Sequence, residues 1–274
     1  MKPLTNDAIN AALATRLFGR TLVLLPVTGS TNDVAKKLAA SGAPEGTVVV
    51  TEEQTAGRGR MGRPWLAPPG TCLLCSIIFR PDLTLSQAGQ LAMLSALAAV
   101  DAIEESTGLA TQLKWPNDLI VASTASGPDS PAWGKIAGLL TETEAEGERL
   151  EYGVVGLGIN VNVETEALTA LAPDATSILA ETGQSSDRAV LLARLLAGIE
   201  RRYEALKAGE GPYAEWASRL ATVGRPVDAV TAAGTLSGVA EAVDENGALL
   251  LRTPDGTLHR LLAGDVTLGT LRRS

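Results

Sequence analysis

Gly57-Arg58-Gly59-Arg60-Met61-Gly62-Arg63-Pro64-Trp65 sets three arginines among three glycines, closed by a proline and an indole. Glycine lets the main chain come close to a ligand, at an entropic cost that a purely structural segment avoids. Guanidinium groups make bidentate contacts with phosphate or carboxylate, each charged hydrogen bond being worth about 1.5–3 kcal/mol. The segment reads as a loop that closes over an anion, the plain alternative being a solvated basic loop. It formally matches G-x-G-x-x-G, but a dinucleotide site needs a helix to leave the last glycine. Pro64, Pro68, Pro69 and Gly70 prevent that. Arg63-Pro64 also stands where a Walker loop requires Lys-Ser/Thr. The sequence therefore predicts a phosphate loop of another kind, mobile until a ligand arrives.

Three further segments carry chemistry. In Lys114-Trp115-Pro116-Asn117-Asp118 a lysine at a strand end can face an anion, with Asp118 aligning it or a magnesium ion. Lys135, in Gly134-Lys135-Ile136-Ala137-Gly138, is a cation in a small apolar strand and so belongs to a site. A Schiff-base role is the other chemical option, although nothing else suggests carbonyl chemistry. Gly156-Leu157-Gly158-Ile159-Asn160 reads either as strand backbone meeting a ligand or as a bulged strand. No residue set with metal-ligand spacing is assigned.

The elements that must position these residues read as mixed α+β. Short helices are expected at 10–19 and 31–40, the second capped by Ser30, and strands at 21–27, 46–53 and 71–79. A long helix follows over 86–107, then strands at 112–115 and 119–122. Residues 123–132 read as a polar surface excursion. A hairpin spans 134–144 and 150–163, and helices span 187–207 and 213–220. From Val223 brief strands separated by turns suggest a small β-barrel, so the division is placed near Thr222, giving units 1–222 and 223–274. The cysteines, Cys72 and Cys75, fall at odd spacing on one strand and face opposite sides, as buried core residues. His259 reads as a surface residue.

Composition narrows the function. The chain has 274 residues, 45% of them apolar, and a formal charge of −8, which argues against general nucleic-acid binding. No apolar run reaches membrane-spanning length, and the start lacks a signal core, so a cytoplasmic protein is expected.

In this order the four segments resemble the biotin protein ligases, which attach biotin to carrier domains of biotin-dependent carboxylases. The resemblance also includes Ser30-Thr31-Asn32, Gln54, and Gly224-Arg225-Pro226-Val227 in the terminal module. It implies a class II synthetase-like domain, a mixed sheet with helices on one face, followed by an SH3-like β-barrel. By the same resemblance, Ser30, Thr31, Asn32 and Gln54 contact the fused rings of biotin. Gly57, Arg58, Gly59 and Arg60 fold over biotin and the adenylate, and Arg63 and Trp65 brace that loop. Lys135, beside Gly138, meets the biotin carboxylate and α-phosphate, with Lys114 and Asp118 adding charge; Gly156, Gly158 and Asn160 line the nucleotide side. Residues 164–177 should cover adenine through Leu168, Leu171 and Ala172; this stretch has no tryptophan, so the wall is expected to be aliphatic.

The implied reaction joins biotin and ATP, with Mg2+, into biotinyl-5'-AMP and then transfers biotin to a carrier lysine. Arg60, Lys114, Lys135 and Asp118 are the candidate catalytic residues, and the protein is expected to be a monomer or homodimer. A lipoate–protein ligase is the nearest alternative. A biotin-sensing repressor needs a DNA-reading domain, for which there is no room before Ser30, so a single-function form is expected. A silent biotin-binding module is the remaining option.

Overall fold

The computed structural model describes residues 2–122, 133–172, 174–231, 234–262 and 264–268. The expected excursion at 123–132 lies outside them. Strands β1 (Leu22–Thr28), β2 (Val48–Gln54), β3 (Cys72–Phe79), β4 (Gln112–Lys114), β5 (Asp118–Ala122), β6 (Trp133–Glu146) and β7 (Arg149–Asn160) form a seven-stranded sheet in the order β1-β2-β3-β7-β6-β5-β4. Only β1 and β2 pair in parallel. Strands β8 (Pro226–Thr231), β9 (Gly234–Val243), β10 (Leu249–Arg252), β11 (Leu258–Leu261) and β12 (Asp265–Leu268) make a separate antiparallel sheet.

Alternation along β3 sorts the sheet into two faces. Leu73, Cys75, Ile77 and Phe79 enter the main core, covered by α3 (Gly89–Thr107) and α6 (Arg188–Lys207). Asp187 caps α6 by accepting from the amides of Ala189 at 2.9 Å and Val190 at 3.3 Å, the N-terminus its sequence suggests. Cys72, Leu74, Ser76 and Ile78 point to the other face, as do Gly156, Gly158 and Asn160 of β7 through their register with β3. The cysteines thus lie in different clusters, both buried.

Helix α2 (Thr31–Ala40) packs on this second face, Ala35 and Ala39 meeting Val49, Ile78 and Val154. Ile9, Trp216 and Ile178 of α5 (Ile178–Thr182), all from shorter helices, join the same main core, so most helices follow the expected one-sided covering; α2 and Leu168 of α4 (Thr165–Leu171) sit opposite, where α2 leaves room beside it for a site. The first helix also differs from expectation. It is α1 (Asn6–Ala12), because Thr5 accepts from the Ala8 amide at 3.1 Å and starts the turn early. A further short turn, Leu85–Gln87, precedes α3, where Thr84 and Gln87 form a capping box.

The second sheet docks on the first unit through shared core. Trp115, 1% exposed, donates from Nε1 to the Gly247 carbonyl at 2.8 Å, and the Tyr213 hydroxyl donates to Val243 O at 2.8 Å. The docking brings the segment 264–267 to the edge of the same open face.

Candidate active site

A cavity of about 400 Å³ lies on the open face of the large sheet, beside the N-terminus of α2. Of the candidate catalytic residues and those expected to contact biotin or the adenylate, all but Gly57 line it, and Leu168 and Ala172 of the expected adenine wall do so too. Gly57 stands at the hinge of the loop, where a Cβ would lie 2.6 Å from the Trp65 carbonyl.

At one end, Gln54 Oε1 accepts from the Thr31 amide at 2.8 Å and its hydroxyl at 3.1 Å, leaving the Gln54 amide group to donate elsewhere. Asn32 uses both donors within the protein, on Leu140 O at 3.2 Å and Glu142 Oε2 at 2.8 Å. The Ser76 hydroxyl lies 2.6 Å from Asn32 Oδ1 and 2.7 Å from Thr31 Oγ1. Ser30 occupies the N-cap position but makes no capping bond, so the expected cap falls to backbone alone.

Hydrogen bonds and ion pairs tie the Gly/Arg loop to its neighbours. Gly59 N donates to Arg63 O at 2.7 Å and Trp65 N to Gly57 O at 2.9 Å, folding it into a narrow turn with Met61 left-handed at φ 55°. Ion pairs hold both ends. Arg58 grips Asp33 with contacts of 3.1 and 2.5 Å, and Arg63 pairs with Asp265 of the second sheet. The hydrogen bond to Asp33 keeps the Arg58 guanidinium above its ordinary pKa against desolvation. Between these anchors, Arg60 is different. Burial lowers its pKa, opposed by Asp265 and Asp118, and its Nη1 is buried with no hydrogen-bond partner among the described residues.

Trp65 does more than brace the loop. Its indole lies on the cavity floor: a Cβ on Gly158 would be 2.6 Å from the ring, and one on Gly138 3.0 Å away. Those two glycines face each other across β6 and β7. The indole also joins Leu168, Val163 and Cys72 in one cluster, so this apolar side of the cavity is part aromatic. Gly156 serves the opposite end of the site, since a Cβ there would sit 2.1 Å from Asn32 Oδ1. Asn160 donates to Thr176 O at 2.9 Å and fixes the strand end.

Lys135 Nζ meets Asp118 Oδ1 at 2.6 Å and lies 5.5 Å from the Trp65 ring centroid. Lys114 stands opposite Asp118 in register and makes no ion pair among the described residues. Arg58, Arg60, Arg63, Lys114 and Lys135 thus face the cavity against Asp118, Asp174 and Asp265, a cationic excess in an acidic protein. The arrangement suits a ligand with a polar head at α2, an anionic middle and an apolar end against Leu168.

The matched family model is described as the biotin/lipoate A/B protein ligase family and covers residues 24–160. The chain belongs to this family. A second model, the biotin protein ligase C-terminal domain, matches residues 222–269 of this ligase-family member. The chain is 37% identical over 269 residues to the bifunctional ligase/repressor BirA of Bacillus subtilis, covering 97% of this chain and 79% of that one. To the biotin--[acetyl-CoA-carboxylase] ligase of Paracoccus denitrificans it is 35% identical over 240 residues, covering 85% and 95%. The biotin protein ligase of Aquifex aeolicus, solved with biotin and ATP, superposes with a TM-score of 0.71 at 28% identity, over 93% of this chain and 100% of that one.

Sequence reasoning missed the 264–267 segment, Ser76 and Glu142. Ser76 was legible from the alternation of β3, which puts it with Cys72 on the open face. The 264–267 segment carries no local signal, because only docking of the second sheet brings it to the site.

Proposed function

We propose that this chain activates biotin with ATP as biotinyl-5'-AMP and transfers it to a lysine of a biotin carboxyl carrier domain. One observation carries the site assignment. Among the described residues, Arg60 is desolvated with an orphaned Nη1, and Lys114, which makes no ion pair, faces the same cavity as Lys135. A buried cation without a partner is costly, and an anionic ligand supplies the missing partner. Relatives named as biotin ligases and the match to a biotin ligase C-terminal domain favour biotin over lipoate.

In the first step the biotin carboxylate attacks the α-phosphorus and pyrophosphate leaves. Two anions must meet, and Arg60, Lys114 and Lys135 offset their repulsion and the charge of the pentavalent transition state. Asp118 holds the Lys135 ammonium in place. In the second step a carrier lysine amine attacks the anhydride carbonyl, AMP leaves and an amide forms, so neither cavity lysine acts as nucleophile. The loop, anchored at Arg58 and Arg63, excludes water from the anhydride meanwhile. Ser30, Thr31 and Gln54 face the fused rings; Trp65, Val163 and Leu168 make the apolar wall on the nucleotide side.

No group of three acidic, histidine or cysteine side chains suited to a metal exists among the described residues, and Asp118 and Asp265 are both ion-paired. Magnesium arrives with the triphosphate. The availability of ATP there supports a cytoplasmic location, and we set the domain division near Thr222.

The test is ATP–pyrophosphate exchange with biotin or lipoate, followed by transfer of labelled biotin to a carrier domain. Biotin-dependent exchange and labelling are expected. Exchange driven by lipoate alone overturns the reading.

A further inference from the structure

Glu142 does not line the cavity, yet its carboxylate meets three groups around one end of it. Asn32 Nδ2 donates to Oε2 at 2.8 Å, Lys36 Nζ lies 2.6 Å from Oε1, and Arg58 Nη2 is 3.8 Å from Oε2. Asp33, already bound to Arg58, is the other acid beside this group. We infer that Glu142 is a positioning residue: it fixes the amide of Asn32 and docks the Arg58 end of the loop without touching substrate. The inference rests on the proposed biotin-ligase function, in which this end of the cavity takes the fused rings.

An asparagine amide fits a pocket almost equally well in two orientations, so its partners decide which atom points where. An ionised carboxylate only accepts. Glu142 and the Leu140 carbonyl therefore hold Nδ2, and Oδ1 turns to the Ser76 hydroxyl, lying against the bare backbone of Gly156. The same negative charge attracts the one loop arginine that reaches α2. A half-buried pair with Lys36 alone contributes little, whereas a carboxylate that sets an amide's direction and seats a flap acts on ligand binding.

The full chain, Glu142→Gln, and the exchanged pair Lys36→Glu/Glu142→Lys are compared by calorimetric biotin titration, by KM for biotin and ATP in pyrophosphate exchange, and by unfolding midpoint. Glu142→Gln is expected to weaken biotin binding and raise its KM about tenfold, the loss of charge-assisted bonds, with ATP KM unchanged. The exchanged pair keeps a lysine–glutamate contact and hence stability. However, its new ammonium on β6 donates where Asn32 needs an acceptor and repels Arg58, so biotin binding stays weak. In an Asn32→Ala background, Glu142→Gln is expected to cost clearly less than in the wild type, because the two share one interaction. Recovery of biotin binding in the exchanged pair, or wild-type binding in Glu142→Gln, overturns the inference while leaving the ligase reading intact. A wild-type chain without biotin-dependent exchange overturns both.

Discussion

Gly158→Ala tests whether the floor of the site is glycine because an indole lies on it. The added Cβ would stand 2.6 Å from Trp65 Cε2, 2.7 Å from Cζ2 and 2.8 Å from Nε1. Carbon contacts are comfortable at about 3.5–4.0 Å, so the ring must rise by about 1 Å. Overpacking of this kind costs about 1–3 kcal/mol. Against it, alanine restricts the unfolded strand more than glycine does, a gain of about 0.4–1 kcal/mol. A net loss of about 1 kcal/mol is expected, read by urea unfolding followed by circular dichroism. The ring rises into the cavity and toward Lys135, so adenylate binding should weaken as well. The decisive measurement is the cycle with Trp65→Ala. Without the indole the clash disappears and only the gain remains, so Gly158→Ala becomes neutral or stabilising. If the two substitutions add within about 0.5 kcal/mol, the ring is not what the glycine accommodates and the argument fails.

Other perturbations act on different parts of the molecule. Arg60→Gly removes the desolvated cation between the loop anchors; biotinyl-adenylate should then escape into solvent, seen as free intermediate in a single-turnover release assay. Arg188, with a side chain 3% exposed, binds Glu52 at 2.5 and 3.2 Å and the Cys72 and Lys2 carbonyls at 3.1 Å each. Arg188→Ala strands that carboxylate and should cost about 3–5 kcal/mol in denaturant unfolding, the usual loss when one partner of a buried pair goes. Glu200 is desolvated, which raises its pKa, but amides of Arg16, Leu17 and Phe18 outweigh this and hold it below the ordinary 4.5. A depressed carboxylate pKa stabilises the fold above the unfolded value and stops doing so as pH falls through the folded one. Glu200→Gln should therefore be less stable than the wild type at pH 7, with the gap in thermal midpoint closing below pH 4.5.

What could be read from sequence divides along a physical line. Elements whose signals are local came out: Asp187 at the start of α6, the hairpin of β6 and β7, and the odd spacing that separates Cys72 from Cys75. The early start of α1 is also local, set by the Thr5 cap, although the sequence reading begins that helix at residue 10. Residues of the site were legible as types, since unexplained lysines and arginines in an acidic chain ask for an anion. Their partners were not. Asp33 for Arg58, Asp265 for Arg63 and Glu142 for Asn32 are joined only by tertiary folding, and nothing in their neighbours along the chain marks them.

Those partners change what the loop is. Three arginines read in isolation are three equivalent phosphate ligands on a flexible flap. In the folded chain two of them are already neutralised, one by α2 and one by the second sheet, and the flap is closed by those two contacts. That leaves the ligand's charge to the middle arginine, whose Nη1 has no hydrogen-bond partner among the described residues, and to Lys114, which makes no ion pair among them. The acidic partners are thus part of the device: by occupying Arg58 and Arg63 they leave Arg60, between them, as the loop arginine without an ion pair among the described residues.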